Sequence, residues 1–122
     1  MDDNTLPVLA DDVEWNEAQR ILAEWEQADG LPLVPPTRGR LDAMLEGVRA
    51  PERSFGFLAP LFGDITPVAV AYQCVMAGCE PAHLPLVVSA LQACTDERFN
   101  LLGIATTTGT PAVATVVQGP VG

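Results

Sequence analysis

Cys79, Glu80 and His83 fall together in Gly78-Cys79-Glu80-Pro81-Ala82-His83, the one stretch that brings a thiol, a carboxylate and the chain's single imidazole within reach of each other. Cys79 and His83 are four apart, an interval that faces one way on a continuous helix, but Pro81 lies between them and makes that geometry insecure. A metal site asks for a tighter pair such as Cys-x-x-Cys with further ligands, and Cys74, Cys79 and Cys94 supply no such pair, so no metal is assigned. Buried thiols are the ordinary reading of these cysteines, because free cysteine is among the most buried residue types. Cys79 is the exception worth testing: it sits at a chain corner beside a helix start, where a thiolate is favoured. No Ser-His-Asp set can be built around His83 alone, so general acid–base work falls to a carboxylate, Asp64 or Glu80, or to a partner chain. Cys79, Asp64 and Glu80 are therefore the candidate catalytic groups. Gly-x-Gly-x-x-Gly and P-loop patterns are absent, and no cofactor can be named.

A second constellation is Thr106-Thr107-Thr108-Gly109-Thr110. Hydroxyls and free backbone donors at a strand end suit a small anionic or carbonyl ligand, which makes Thr106, Thr107, Thr108 and Gly109 candidate substrate contacts. The plainer reading is β-branched residues chosen for strand propensity and hydrogen-bonded to their own turn. Arg38, with Arg40, lies in the first turn of an expected helix, where the dipole disfavours cations, so an anionic partner is a candidate for holding it. The competing reading pairs these arginines with Asp42 or Glu46 at the surface.

The elements that would position these residues can be read in order. Residues 1 to 12 form an acidic, Pro7-containing arm, and residues 13 to 122 a single α/β domain. Asp11 or Asp12 can cap a first helix carrying Val13, Ala18, Ile21, Leu22 and Trp25 and stopped by Gly30. Leu31 to Pro36 holds three prolines and must run extended. Thr37 caps a second helix with a Leu41, Met44, Leu45, Val48 stripe. Residues 50 to 65 have no clean period and read as a loop with three phenylalanines pinned to something. The centre is the Thr66 to Cys79 stretch: Thr66 as cap, Pro67 at the first helical position, an apolar body buried nearly all round and Gly78 as the stop. A hairpin partner follows from Pro81 through Leu84, Val87, Val88 and Leu91 to Cys94. Residues 101 to 107 and 112 to 118 then read as strands joined by the turn at Thr108-Gly109-Thr110-Pro111.

Composition bounds the function. The 122 residues are 48% hydrophobic, enough for one domain with a real core. The formal charge of −10 is concentrated in residues 1 to 30, which hold nine acids against Arg20 alone. That balance argues against nucleic acid and anionic membranes, both of which attract basic surfaces. Three cysteines without a charged-then-apolar leader fit a reducing cytoplasm, and no apolar run approaches the roughly 18 residues of a membrane span. All six basic residues are arginine, a hint of a GC-rich bacterial genome.

Trp25 through Thr37, with the core Asp-Gly-Leu-Pro-Leu-Val-Pro-Pro-Thr, together with Val75-Met76-Ala77-Gly78-Cys79, Phe99-Asn100-Leu101, Ala105-Thr106-Thr107 and Gln118-Gly119-Pro120-Val121, resembles an uncharacterised family of actinobacterial proteins found near UGSC-type (seleno)proteins. The match covers roughly residues 20 to 121, and its motifs carry no assigned chemistry. Longer members continue past the Gly-Pro, so the resemblance implies an N-terminal half or a separately encoded subunit.

The resulting expectation is an α/β fold, with four helices packed on a small sheet that a partner chain completes. Functionally it is a cytoplasmic subunit of a heteromeric bacterial enzyme acting on a small-molecule substrate, contributing part of the active-site wall. The rival is a non-catalytic structural or interaction subunit that stabilises a catalytic partner.

Overall fold

The computed structural model describes residues 6 to 26 and 28 to 120. The order of elements is α1 (Trp15–Leu22), α2 (Arg38–Met44), β1 (Phe57–Leu58), β2 (Gly63–Asp64), α3 (Pro67–Met76), α4 (Leu84–Cys94) and α5 (Leu101–Thr106), with single 3-10 turns at Pro81–His83 and Glu97–Phe99. The fold is mixed but dominated by helices, and among the described residues its sheet is one two-stranded antiparallel pair.

Helix α3 is the centre, for the reasons its sequence gives. The Thr66 hydroxyl accepts the Ala69 N–H at 3.2 Å, and Pro67 occupies the first turn, where a missing donor is harmless. Val70, Ala71, Tyr72, Cys74, Val75 and Met76 are buried, with Gln73 the exposed position of the helix. Leu41 and Met44 of α2, Ile65 before α3 and Leu84 of α4 complete the buried cluster. Ten residues of helix thus receive packing from two neighbouring helices, which supplies stability that so short a helix lacks in isolation. Helix α4 buries Leu84 fully, while Val87, Val88 and Leu91 are partly covered.

The extended Leu31–Pro36 segment is held at several points. The Gln19 carboxamide grips Leu33 from both sides, donating to its carbonyl at 2.8 Å and accepting its N–H at 3.1 Å. Val34 N–H donates to the Met76 carbonyl at 2.9 Å, fastening the segment to the end of α3. The described part of the acidic arm is also tied down, since Leu9 N–H donates to the Pro36 carbonyl at 2.9 Å and the Tyr72 hydroxyl to the Pro7 carbonyl at 2.6 Å.

Several sequence expectations change. Glu14, not Asp11 or Asp12, caps α1, accepting the Glu17 N–H at 3.0 Å. Helix α1 ends at Leu22, well before Gly30, and buries only Ala18 and Leu22. The phenylalanine loop holds the sheet: Phe57 pairs with Asp64 and Leu58 with Gly63. Of its aromatics only Phe55 packs on the core, whereas Phe57, Leu61 and Phe62 are exposed, Leu61 at 92%.

The largest correction lies at the C-terminal side. Residues 101 to 107 are not a strand but the six-residue helix α5 and its cap, and residues 112 to 118 pair with nothing among the described residues. Asn100 is the physical cause: it takes a left-handed conformation at φ 53° and its side-chain oxygen accepts the Gly103 N–H at 3.2 Å. This cap starts a helix in which Leu101 and Ile104 are half-buried, and the β-branched composition that suggested a strand is overruled.

Candidate functional site

Of the candidate residues, Cys79, Glu80 and Asp64 line clefts, and the three do not share one. Cys79 and Glu80 line a cleft of about 300 Å³ between the ends of α2 and α3, with Val34, Arg40, Met44 and Val75 among its walls. Asp64 borders an apolar groove of about 460 Å³ formed by the β1–β2 hairpin, the first half of α3 and one side of α4. The two linings share no residue, so Asp64 is not brought together with Cys79 and Glu80. A third cleft of about 270 Å³ runs between the hairpin and the start of α5, and Cys94 lies in its lining.

At the corner after α3, Gly78 adopts φ 78° and turns the chain so that Cys79 meets the helix end. His83 is committed to local structure: its Nδ1 accepts the Glu80 N–H at 3.0 Å, which leaves Nε2 to carry the proton of the neutral ring. That use of His83 removes it as a base toward Cys79. Cys79 is half-buried, and the neighbour that sequence reasoning missed is Cys74. Burial, reinforced by the adjacent Cys79 thiol, pushes the Cys74 thiol up to about 11. A legible signal existed, namely a second cysteine five residues back with glycine between them at the helix stop.

The threonine cluster stands exposed on the outside of the molecule. The Thr106 hydroxyl donates to the Leu102 carbonyl at 2.7 Å, and the Thr107 hydroxyl accepts the Gly109 N–H at 3.3 Å. Two of its hydroxyls are thus spent on the chain's own backbone, Thr106 within helix α5 rather than in a strand and Thr107 in the turn that follows. Thr106, Thr107, Thr108 and Gly109 line none of the three clefts above.

Arg38 has an anion close by, supplied by the chain itself. Asp11 reaches across to the start of α2, accepting the Gly39 N–H at 2.9 Å, while Gly39 offers just the room that the carboxylate needs: an added Cβ there would stand 3.1 Å from Asp11 Oδ1. The Thr37 hydroxyl and then the Gly39 N–H hold the Asp11 carboxyl below its ordinary range, with smaller help from the charges of Arg40 and Arg38. Arg40 itself donates to the Pro35 carbonyl at 2.9 Å. Asp11 therefore answers the unfavourable placement of these arginines at a helix start. Among the described residues the ion pair present is Arg98 with Asp96, at 2.8 Å and well exposed.

Comparison with protein-family models, with curated proteins and with solved structures returned no match. The Cys79 cleft is largely apolar around a thiol, Arg40 and Glu80, the Asp64 groove has only Asp64 and Gln73 as polar side chains, and the third cleft is the most polar of the three, with Thr95, Asp96, Glu97 and Asn100 in its lining. No helix among the described residues is long and apolar enough to cross a membrane.

A different feature is better developed. From Thr107 to Pro120 the chain runs without regular structure, every residue is exposed, and among the described residues no backbone-to-backbone hydrogen bond ties it to the rest. It is nonetheless apolar, with Val113, Val116 and Val117 at 46%, 82% and 43% exposure.

Proposed function

We propose that this chain is an interaction subunit of a heteromeric bacterial assembly, joined to a catalytic partner through its 107 to 120 segment. The observation that carries the reading is that segment's extended, unpaired backbone: seven uncharged residues from Ala112 to Gln118, rich in valine, present a free row of donors and acceptors. Such a strand gains its hydrogen bonds by adding to the edge of another sheet, with alternate side chains filling pockets. The exposed hairpin tip at Leu61 and Phe62 is a second apolar surface that an assembly would cover.

The catalytic alternative, in which the threonine loop and the Cys79 corner form one wall of a small-molecule site, has weaker support. Its residues are distributed over separate surfaces, and the hydroxyls of Thr106 and Thr107 are engaged locally. In the proposal the small-molecule chemistry of the assembly belongs to the partner. The resemblance to actinobacterial proteins encoded near UGSC-type (seleno)proteins makes the product of the adjacent gene the first partner to try, in a cytoplasmic setting. Co-expression should yield a co-purifying complex with the wild type and none with Val116→Lys, although the variant folds normally. In the reconstituted enzyme, Thr107→Ala and Cys79→Ser should leave turnover intact. Loss of turnover in either variant, with assembly preserved, would favour the catalytic alternative.

A further inference from the structure

The end of α3 closes on two backbone hydrogen bonds. Cys79 N–H donates to the Cys74 carbonyl at 2.9 Å and Gly78 N–H to the Val75 carbonyl at 3.0 Å, with Gly78 in the left-handed region. This is the Schellman ending, in which the residue just past the left-handed glycine folds back over the residue three from the helix end. Those two positions ordinarily share a hydrophobic contact. Here both are cysteine, so the motif that ends the helix also places two thiols side by side. Cys74 is 3% exposed, whereas Cys79 is half-buried and lines the cleft beside α2, so an oxidant arriving from solvent meets Cys79 first. The third cysteine, Cys94, belongs to a different cleft at the end of α4.

We propose that Cys74 and Cys79 are an oxidisable dithiol that closes to an intramolecular disulfide across the C-terminal end of α3 when hydrogen peroxide enters the cleft. Cys79 Sγ, as thiolate, attacks one peroxide oxygen. The O–O bond breaks and the departing hydroxide takes up the proton that the thiol released, leaving one water and a sulfenic acid at Cys79. Cys74 Sγ then attacks that sulfur, the S–O bond breaks, and the hydroxyl leaves with the Cys74 proton as a second water. The two thiols lose two electrons together and the peroxide gains them. A thiol reductant reverses the step by exchange. The two cysteines divide the work by exposure. Burial disfavours the Cys74 thiolate, which suits a resolving thiol that should not be oxidised on its own. The closed link would fix the Gly78 turn and, through the Val34 to Met76 hydrogen bond, the extended segment that leans on it.

The test uses the full chain. It is treated with a small excess of hydrogen peroxide, unfolded in the presence of N-ethylmaleimide and mapped by mass spectrometry. Chymotryptic cleavage after Tyr72 and Leu86 separates the pair from Cys94. The proposal expects the 73 to 86 peptide to lose two hydrogens and take no maleimide, to regain both sites after reduction, and Cys94 to remain alkylated. With dimedone present, Cys74→Ser should trap the sulfenic acid at Cys79, and Cys79→Ser should leave Cys74 reduced. Because the mapping of the unaltered chain needs no variant, a variant that fails to fold does not weaken it. A wild-type chain that accumulates the dimedone adduct at Cys79 while Cys74 is alkylated, or that gives chiefly disulfide-linked dimers, would overturn the proposal.

Discussion

Replacing Tyr72 by phenylalanine removes one oxygen from the centre of the fold and nothing else. The ring is 2% exposed and stays in place, so no apolar contact is lost and no cavity opens. What disappears is the 2.6 Å hydrogen bond from its hydroxyl to the Pro7 carbonyl. Pro7 itself is exposed, so water can take over its carbonyl, and the cost is the net value of one intramolecular bond, about 1 kcal/mol. For a chain of this size that lowers the melting temperature by roughly 3–6 °C. Burial also pushes the Tyr72 hydroxyl up to about 12, above its value of 10 in an unfolded chain. A raised acid contributes stability that is fully present below the unfolded value and is lost as pH climbs toward the folded one. The wild type should therefore lose stability between about pH 10 and 12, and Tyr72→Phe should flatten that limb. Thermal melts by circular dichroism across that range, with hydrogen exchange at the Leu9 amide, report both effects. An unchanged melting temperature together with an unchanged alkaline limb would refute the placement of Tyr72 under the arm.

Asp11→Asn should reduce the stability lost on acidification below about pH 4, because the native carboxyl titrates below its ordinary 3.8 and its stabilisation vanishes as pH falls through that lowered value; an acid melt identical to the wild type would contradict its contacts to Thr37 and Gly39. Met76→Ala, at a buried position on α3, should cost about 2–5 kcal/mol in urea denaturation, and a cost under about 1 kcal/mol would mean that α3 is not the centre of the core. Gln19→Ala should free the two backbone groups of Leu33 and raise hydrogen exchange there at least several-fold, while circular dichroism still shows the helices; unchanged exchange would count against the grip on the extended segment.

What could be read from the sequence was the part governed by local rules that tertiary packing reinforces. Thr66 and Pro67 at the start of α3, Gly78 at its end, Thr37 before α2 and the proline-stiffened Leu31–Pro36 run all stand where their chemistry requires. The hairpin of α3 and α4 followed from the apolar stripes around Gly78 and Pro81. The misreadings came where composition and local geometry compete. Leu101 to Thr107 has the residues of a strand, but the asparagine before it caps a helix, and one side chain's hydrogen bond outweighed a propensity difference of under 1 kcal/mol. The Phe57–Asp64 hairpin was hidden because its strands are two residues each, too short for any alternation to register. Asp11 was assigned to the nearest helix, yet it serves one 28 positions away, a long-range choice that no spacing rule encodes. Cys79 stands out for its corner, and a second cysteine five residues back across the helix stop was a legible signal for Cys74, although their contact follows only from the way α3 ends. The chain does not bring the candidate residues into one place, since Cys79 with Glu80, Asp64 and the threonines occupy separate surfaces, and a spacing rule cannot reveal that.

The central claim is that the 107 to 120 segment is a strand waiting for a partner's sheet, and hydrogen exchange of the Ala112 to Gln118 amides tests it most directly. In the isolated chain at low micromolar concentration these amides should exchange at near the unfolded rate while the α3 amides are protected, as their unpaired backbone requires. In the purified complex with the partner, alternate or all amides of the stretch should slow by at least a hundredfold, and Val116→Lys should abolish that protection together with assembly. Strong protection already in the isolated monomer, or exchange as fast in the complex as in the free chain, would contradict the account.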